Sequence, residues 1–292
     1  MRSIMLIVNP FSGRGVVNVF VGGIINQFCR NGDSVTVYYS GEKSLKQLMH
    51  EYSKNHDIVV SMGGDGTLSE VVSGLLEAGH SRPIGHIPSG TANDVATTLE
   101  LSKNPITAAK SIINGEPRPY DIGLFADKHF TYIAAFGAFT SLAYSTPQSS
   151  KRALGHFAYV LGGIAEMGAI EARRTRIELD DEVVEGDFVF GCVSNSLSIA
   201  GIVKLNPDYV NLADGKFEVL LVRQPLIPTD FINILSGALA QTYDGDSVLI
   251  YHSSKVKFIF DDEVTWTIDG EDGGAHKEIE IKNIHKAIEL IA

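Results

Sequence analysis

Residues 58–76 read IVVSMGGDGTLSEVVSGLL, and their parsing decides the fold. The apolar run 58–62 stops at a glycine and has the length of a buried strand. Leu68, Val71, Val72, Leu75 and Leu76 then recur at i, i+3, i+4, i+7 and i+8, one stripe of a helix. Between the two lies Gly63-Gly64-Asp65-Gly66-Thr67. Glycines let a backbone bend sharply and bring its N–H groups close to a ligand, and the N-terminus of the following helix favours an anion. The turn is thus suited to hold a phosphate. Asp65 repels a phosphate unless a cation or a proton-bearing nucleophile stands between them, and that is the first pointer to chemistry.

The same alternation extends on both sides. Residues 4–8 form a short apolar strand that runs into Asn9-Pro10-Phe11-Ser12-Gly13-Arg14-Gly15, and residues 16–30 carry helical spacing. Residues 34–39 read as a strand. Residues 42–54 read as a helix with Leu45, Leu48, Met49 and Tyr52 inward, and 84–87 as another strand. Pro88-Ser89-Gly90-Thr91-Ala92-Asn93-Asp94 then leads into a further helix. Strands alternating with helices predict a parallel sheet with crossover helices, whose ligands bind beyond the carboxyl ends of the strands. Three polar, glycine-bearing loops each follow a strand, so they are expected to share one site.

From about residue 117 the pattern changes to short β-rich runs at 175–179, 188–193, 217–222, 256–260, 264–268, 278–281 and 287–291. Asp180-Asp181, Asp214-Gly215 and Asp261-Asp262 supply turn chemistry beside them, and helices are expected only at 155–167 and 229–240. The reading is an α/β domain over 1–123 followed by a β-sandwich over 124–292, whose last strand is free to pack back on the first domain.

The chain has 292 residues, 44% hydrophobic and 20% charged, which fits a globular protein with ample core. Its formal charge of −11 argues against nucleic-acid binding and against wholesale adhesion to anionic membrane, though a local basic patch would still serve. Cys29 and Cys192 lie far apart, read as small buried hydrophobes and point to a reducing compartment. No secretory leader or membrane-spanning run is read, so a cytoplasmic location is expected. No Walker lysine motif occurs, Gly13-Arg14-Gly15 fails the dinucleotide fingerprint at Asn18, and the common zinc signatures are missing. The charge-free stretch 130–150, followed by Lys151 and Arg152, reads either as core or as lipid-facing surface. Arg173, Arg174 and Arg176 read either as headgroup contacts or as a solvated edge strand.

Taken together, Asn9-Pro-x-Ser-Gly, Gly63-Gly-Asp-Gly-Thr and Pro88-x-Gly-Thr-x-Asn-Asp94 resemble the diacylglycerol kinase catalytic domain of bacterial lipid kinases, relatives of the sphingosine kinases. The resemblance continues through Asp121-Ile122-Gly123, Asp214-Gly215 and Asp269-Gly270-Glu271, and so covers nearly the whole chain. It implies a Rossmann-like α/β nucleotide domain, a β-rich second domain and an active site in the cleft between them. It also implies an ATP- and Mg²⁺-dependent kinase acting on a membrane lipid hydroxyl, most simply diacylglycerol to phosphatidic acid, with transient contact at the inner membrane face.

By the same resemblance, ATP is held by Asn9, Pro10, Phe11, Ser12, Gly13, Ser40, Gly63, Gly64, Asp65, Gly66, Thr67, Leu68, Ser69 and Thr91. Ser40 and Asn93-Asp94 read equally as an ordinary loop serine and a helix cap. Asp65, Asp121, Asp269 and Glu271 form the acidic set around Mg²⁺, with Glu271 favoured as the base, Asp269 in the Mg²⁺–water network and Asp65 the alternative base. Taken alone, Asp269-Gly270 reads as a hairpin turn. Asp214, with carbonyls of Asn211 and Lys216, matches a second, structural Mg²⁺ site or else a plain turn. Many relatives carry a glycine-rich run after the Asn-Ser of the β-rich domain, whereas here Ser194-Asn195-Ser196 leads into Leu-Ser-Ile-Ala-Gly201, which touches the shape of the acceptor pocket. The rival readings are another kinase of the superfamily, such as an NAD kinase, and a non-catalytic nucleotide- or lipid-binding regulator. The β-rich domain offers edges for a homodimer.

Overall fold

The computed structural model describes residues 1–12, 17–41, 43–90, 93–137, 171–199, 203–205, 210–224 and 245–292. The helices expected at 155–167 and 229–240, the stretch 138–150 with Lys151 and Arg152, and the site residues Gly13 and Thr91 lie outside them. The chain divides into two compact units, one of residues 1–122 with 286–292 and one of residues 123–285.

The first unit runs β1 (Ser3–Val8), α1 (Val17–Arg30), β2 (Ser34–Tyr39), α2 (Leu45–Tyr52), β3 (Ile58–Gly63), α3 (Asp65–Glu77), β4 (Ile84–Pro88), α4 (Asp94–Thr98), α5 (Pro105–Asn114) and the start of β5 (Pro117–Phe125). Its strands pair in parallel in the order β4-β3-β1-β2. The chain's last residues add a further parallel strand, with Leu290 opposite Ile84. A sheet covered by helices on both faces needs apolar residues on both, and β3 is buried along its whole length. Ile4, Leu6, Val8, Val60 and Met62 pack with Val17, Val21, Ile24 and Phe28 of α1 and Ala108, Ala109 and Ile112 of α5. On α3, Leu68, Val71, Val72 and Leu75 are buried. The α2 helix is shorter than its apolar pattern suggested. Ser44 and Gln47 close a capping box at its start, and a 3₁₀ turn replaces its end at Ser53–Asn55.

The second unit holds β6 (Lys128–Phe130), β7 (Ile133–Gly137), β8 (Arg173–Glu178), β9 (Val183–Ser194), the short pair β10 (Ser198–Ile199) and β11 (Val203–Lys204), β12 (Phe217–Arg223), β13 (Val248–Ser253), β14 (Lys255–Ile268) and most of β15 (Glu271–Ile291). Strands β13-β12-β9-β7-β14-β15 lie side by side and antiparallel, and β8 bonds to both β9 and β14. Trp266 sits at the centre of the core, with ring centroids of Phe136, Phe258 and Phe125 at 4.9, 5.1 and 5.2 Å.

Several expectations are corrected here. Asp261-Asp262 is not a turn: it lies inside β14, where the register with β15 shifts between Ile259 and Val264. The runs at 278–281 and 287–291 are one strand, β15. The strand of Arg173, Arg174 and Arg176 is no edge, since both its sides are paired, and Glu171, Asp187, Glu178 and Glu185 meet its guanidinium groups. Within 130–137 the residues Phe130, Ala134 and Phe136 belong to the core. Cys192 is buried as expected, but Cys29 is exposed. Among the described residues no helix is long and apolar enough to cross a membrane.

Candidate active site

The carboxyl ends of β1, β3 and β4 are tied together by short polar contacts. Asn9, just past β1, donates from its side-chain amide to the Thr67 hydroxyl at 3.0 Å, and its carbonyl oxygen Oδ1 accepts the Phe11 N–H at 3.1 Å. The hydroxyls of Ser12 and Ser89 share a hydrogen bond of 3.0 Å, and the Ser89 amide donates to the Gly63 carbonyl at 2.7 Å. Ser40 is half-buried, and its amide donates to the Val8 carbonyl at 3.0 Å. Pro10 is half-buried, whereas Phe11 projects at 84% exposure.

The turn at 63–67 is tighter than its composition suggested. Helix α3 begins at Asp65, so Gly64 alone separates it from β3. Its glycines serve close approach and not a left-handed bend, since neither Gly63 nor Gly64 has positive φ. A Cβ on Gly90 would stand 2.5 Å from the Gly64 Cα, so the second and third loops touch backbone to backbone. The first intrahelical bond of α3 runs from the Leu68 N–H to the Gly64 carbonyl. The amides of Asp65, Gly66 and Thr67 lie ahead of it, and no side chain caps the Gly64 end. Gly64, Gly66 and Ser69 are half-buried, while Asp65, Thr67 and Leu68 are buried. A helix start flanked by small residues and capped by no side chain is suited to a phosphate.

Asp65 does more than begin that helix. Its carboxylate accepts the Val95 N–H at 3.3 Å, which places an anion at the start of α4. The Asn93 side chain does not cap that helix. It closes its own turn, accepting from the Gly90 N–H at 2.9 Å and donating to the Gly90 carbonyl at 2.8 Å, with its backbone left-handed at φ 54°. Asp121 is fully buried in β5, and its carboxylate accepts the Lys286 N–H at 2.6 Å, pinning a residue with φ 51°.

In the second unit, Asp269 and Gly270 both have positive φ, 48° and 84°, and join β14 to β15 as a two-residue hairpin in which Ile268 pairs with Glu271. The Asp269 carboxylate takes hydrogen bonds from three successive residues, 131–133. Oδ2 accepts the Thr131 N–H at 2.7 Å and the Thr131 hydroxyl at 2.8 Å, and Oδ1 accepts the Tyr132 and Ile133 N–H groups at 3.1 and 3.2 Å. The geometry gives Asp269 the work of holding the 131–133 segment. Glu271, one residue past the turn, is exposed.

The Asp214 loop curls around its own oxygens. Asp214 Oδ1 accepts the Lys216 N–H at 2.9 Å, Asn211 Oδ1 accepts the Ala213 N–H at 3.1 Å, and Gly215 between them is left-handed at φ 83°. Asn283 donates to the Lys216 carbonyl at 3.3 Å. A carboxylate beside backbone carbonyls suits a hard cation such as Mg²⁺. Among the described residues no three His, Cys, Asp or Glu side chains gather at metal-binding distance, so Asp65, Asp121, Asp269 and Glu271 do not form one cluster.

Sequence reasoning missed Ser89, Thr131 and Tyr132. Ser89 stood inside a quoted motif but carried no signal of its own. Thr131 and Tyr132 lie in the uncharged stretch 130–150, and only their pairing with Asp269 reveals them.

Residues 3–125 match the family described as the diacylglycerol kinase catalytic domain. The chain is 30% identical to a diacylglycerol kinase of Bacillus subtilis (strain 168), covering 100% of this chain and 96% of that protein. It is also 30% identical to a diacylglycerol kinase of Staphylococcus haemolyticus (strain JCSC1435), over 92% of this chain and 82% of the relative. A solved diacylglycerol kinase structure from Bacillus anthracis str. Sterne shares the fold with a TM-score of 0.78 at 21% identity, covering 99% of this chain and 96% of that one.

Proposed function

The chain belongs to the diacylglycerol kinase catalytic domain family and is a kinase, and from that premise we propose that it moves the γ-phosphoryl group of ATP to a hydroxyl of a membrane lipid, diacylglycerol before others. The observation that carries this reading is the knit of three strand-end loops, Asn9 to Thr67, Ser12 to Ser89 and Gly64 against Gly90, around the uncapped start of α3. Such a cradle binds a polyphosphate through backbone amides where no Walker lysine is present.

In the reaction the lipid hydroxyl oxygen forms a bond to the γ-phosphorus as the bond to the β,γ-bridging oxygen breaks, and ADP leaves with that electron pair. We assign Glu271 the hydroxyl proton, because it is an exposed carboxylate next to a rigid turn, while Asp269 is occupied in fixing that turn. The amides at the start of α3 and the Asn9–Thr67 pair orient the phosphates, and Asp65 is the carboxylate best placed to serve them through a cation. Bound Mg²⁺ would supply charge neutralisation for the triphosphate. A second Mg²⁺ held by Asp214 with the Asn211 and Lys216 carbonyls would brace their loop.

Contact with the inner membrane face during turnover follows from a substrate that resides there, and the acceptor is to be presented in a lipid phase. Radiolabel transfer from [γ-³²P]ATP across a panel of diacylglycerol, phosphatidylglycerol, polyprenol and sphingosine in mixed micelles tests the reading. Labelled phosphatidic acid is expected first among the products. A protein that binds ATP and labels none of the panel refutes it.

A further inference from the structure

Helices α2 and α3 pack side by side at Gly74, where a Cβ would stand 2.8 Å from the Lys46 Cα and 2.9 Å from the Met49 Cγ. Lys46 also reaches forward to Glu77, its Nζ 2.6 Å from Oε1. His50 is one turn beyond Lys46 and so on the same face of α2. The end of α2 therefore lies beside the end of α3, and each end carries a histidine. His50 stands in the last turn of α2 and His80 follows α3, with ring centroids 6.5 Å apart and planes inclined at 39°.

His80 is held by both its backbone and its ring. Past the end of α3, Gly79 is left-handed at φ 66°, its amide donates to the Leu76 carbonyl, and the His80 amide donates to the Leu75 carbonyl at 3.0 Å. This is a Schellman closure, and it fixes where His80 leaves the helix. The ring is fixed by Ser53, which is fully buried and whose Oγ lies 2.7 Å from His80 Nδ1. The single hydroxyl proton of Ser53 goes to the Met49 carbonyl, which can only accept. His80 Nδ1 must then donate to Ser53, and the neutral ring keeps its lone pair on Nε2. A ring with one nitrogen tied to the protein and a lone pair on the other is the form in which histidine ligates a metal.

The surroundings favour a cation. Both imidazoles lie at helix carboxyl ends, where the backbone dipoles attract positive charge, and Lys46 is already paired with Glu77. Imidazole suits zinc, copper and nickel, whereas Mg²⁺ takes oxygen ligands. With metal–nitrogen bonds of about 2.0–2.1 Å, two rings on one tetrahedral ion have centroids roughly 5 Å apart. Rotation of the exposed His50 side chain closes the remaining gap of about 1–2 Å.

We propose that His50 and His80 bind one Zn²⁺ ion through their imidazoles, His80 through Nε2, with water completing the coordination. The ion would clasp the end of α2 to the end of α3. Helix α3 is 13 residues long, which puts this site on the order of 20 Å from Asp65 and apart from the nucleotide chemistry.

Isothermal titration of Zn²⁺ into the full chain tests the proposal, in buffer containing Mg²⁺ so that the harder ion occupies the carboxylate sites. The wild type should take up one equivalent. His50→Ala and His80→Ala should each abolish that uptake, and Ser53→Ala, which keeps both imidazoles but frees the His80 ring, should weaken it about tenfold. Turnover with Mg·ATP should be unchanged in both histidine variants. Cu²⁺, used on the wild type as a paramagnetic stand-in, should show hyperfine splitting from two imidazole nitrogens. A Zn²⁺ equivalent retained by folded His50→Ala or His80→Ala overturns the proposal. A wild type that takes up no Zn²⁺, or whose Cu²⁺ signal lacks nitrogen splitting, overturns it even if a variant does not fold.

Discussion

The side-chain amide of Asn9 reaches the hydroxyl of Thr67 at 3.0 Å, and this one bond joins the loop after β1 to the first turn of α3. Asn9 also accepts the Phe11 N–H, so a single side chain sets the shape of the first loop and its place on the second. Asn9→Ala should raise KM for ATP by about tenfold or more, the equivalent of one to two lost hydrogen bonds. Steady-state kinetics at fixed lipid will show it, and an unchanged KM would detach Asn9 from nucleotide binding.

The contact of Gly90 with Gly64 leaves no room for a methyl group. Gly90→Ala must push the two loops apart. Misplacing reacting groups by an ångström costs roughly a hundredfold, so kcat/KM for ATP should fall by about that factor. The melting temperature should drop only a few degrees, because both glycines sit in loops outside the core. Full activity in Gly90→Ala would show that the spacing of the loops is immaterial.

Asp269 and Glu271 are separated by one residue and should separate in their phenotypes. Asp269→Ala strips the acceptor from three buried amides and a hydroxyl, and a loss of roughly 3–5 kcal/mol is expected from chemical denaturation. Glu271→Gln should leave stability unchanged and remove turnover. Equal stability of the two variants would contradict the structural role given to Asp269.

His86 is buried in β4, its side chain lying in register with Ser61 of β3, and burial lowers its imidazole to about 4 from an ordinary value of 6.5. The folded state therefore refuses a proton that the unfolded chain accepts between these values. Stability is complete above pH 6.5 and falls as pH drops toward 4, by on the order of 3 kcal/mol from this group. Denaturation midpoints from pH 7 to 4.5 should decline less steeply in His86→Phe than in the wild type. Parallel declines would remove His86 as the cause.

Much of the nucleotide half was legible because its signals are local. Residues 58–76 contain their own strand, turn and helical stripe, and Asn9 and Ser12 stand in a motif. The start of α3 at Asp65 was not legible, since glycines read as loop and only packing against Gly90 decides otherwise. The role of Asp269 was hidden for a related reason. The donors that hold its carboxylate lie 136 to 138 positions earlier in sequence, in a stretch without charge or motif. Long β14 looked like two strands because Asp261-Asp262 mimics a turn, whereas the structure absorbs the pair as an irregularity in register.

The residue on which the proposed reaction turns is Glu271, the assigned acceptor of the lipid hydroxyl proton. The direct measurement is the rate of ³²P transfer from [γ-³²P]ATP to 1,2-dioleoylglycerol by wild type and Glu271→Ala, with ATP affinity measured on the same preparations. The account predicts Mg²⁺-dependent labelling by the wild type, a loss of at least about a hundredfold in Glu271→Ala, and nearly equal ATP affinity. Undiminished transfer by a folded Glu271→Ala would contradict it.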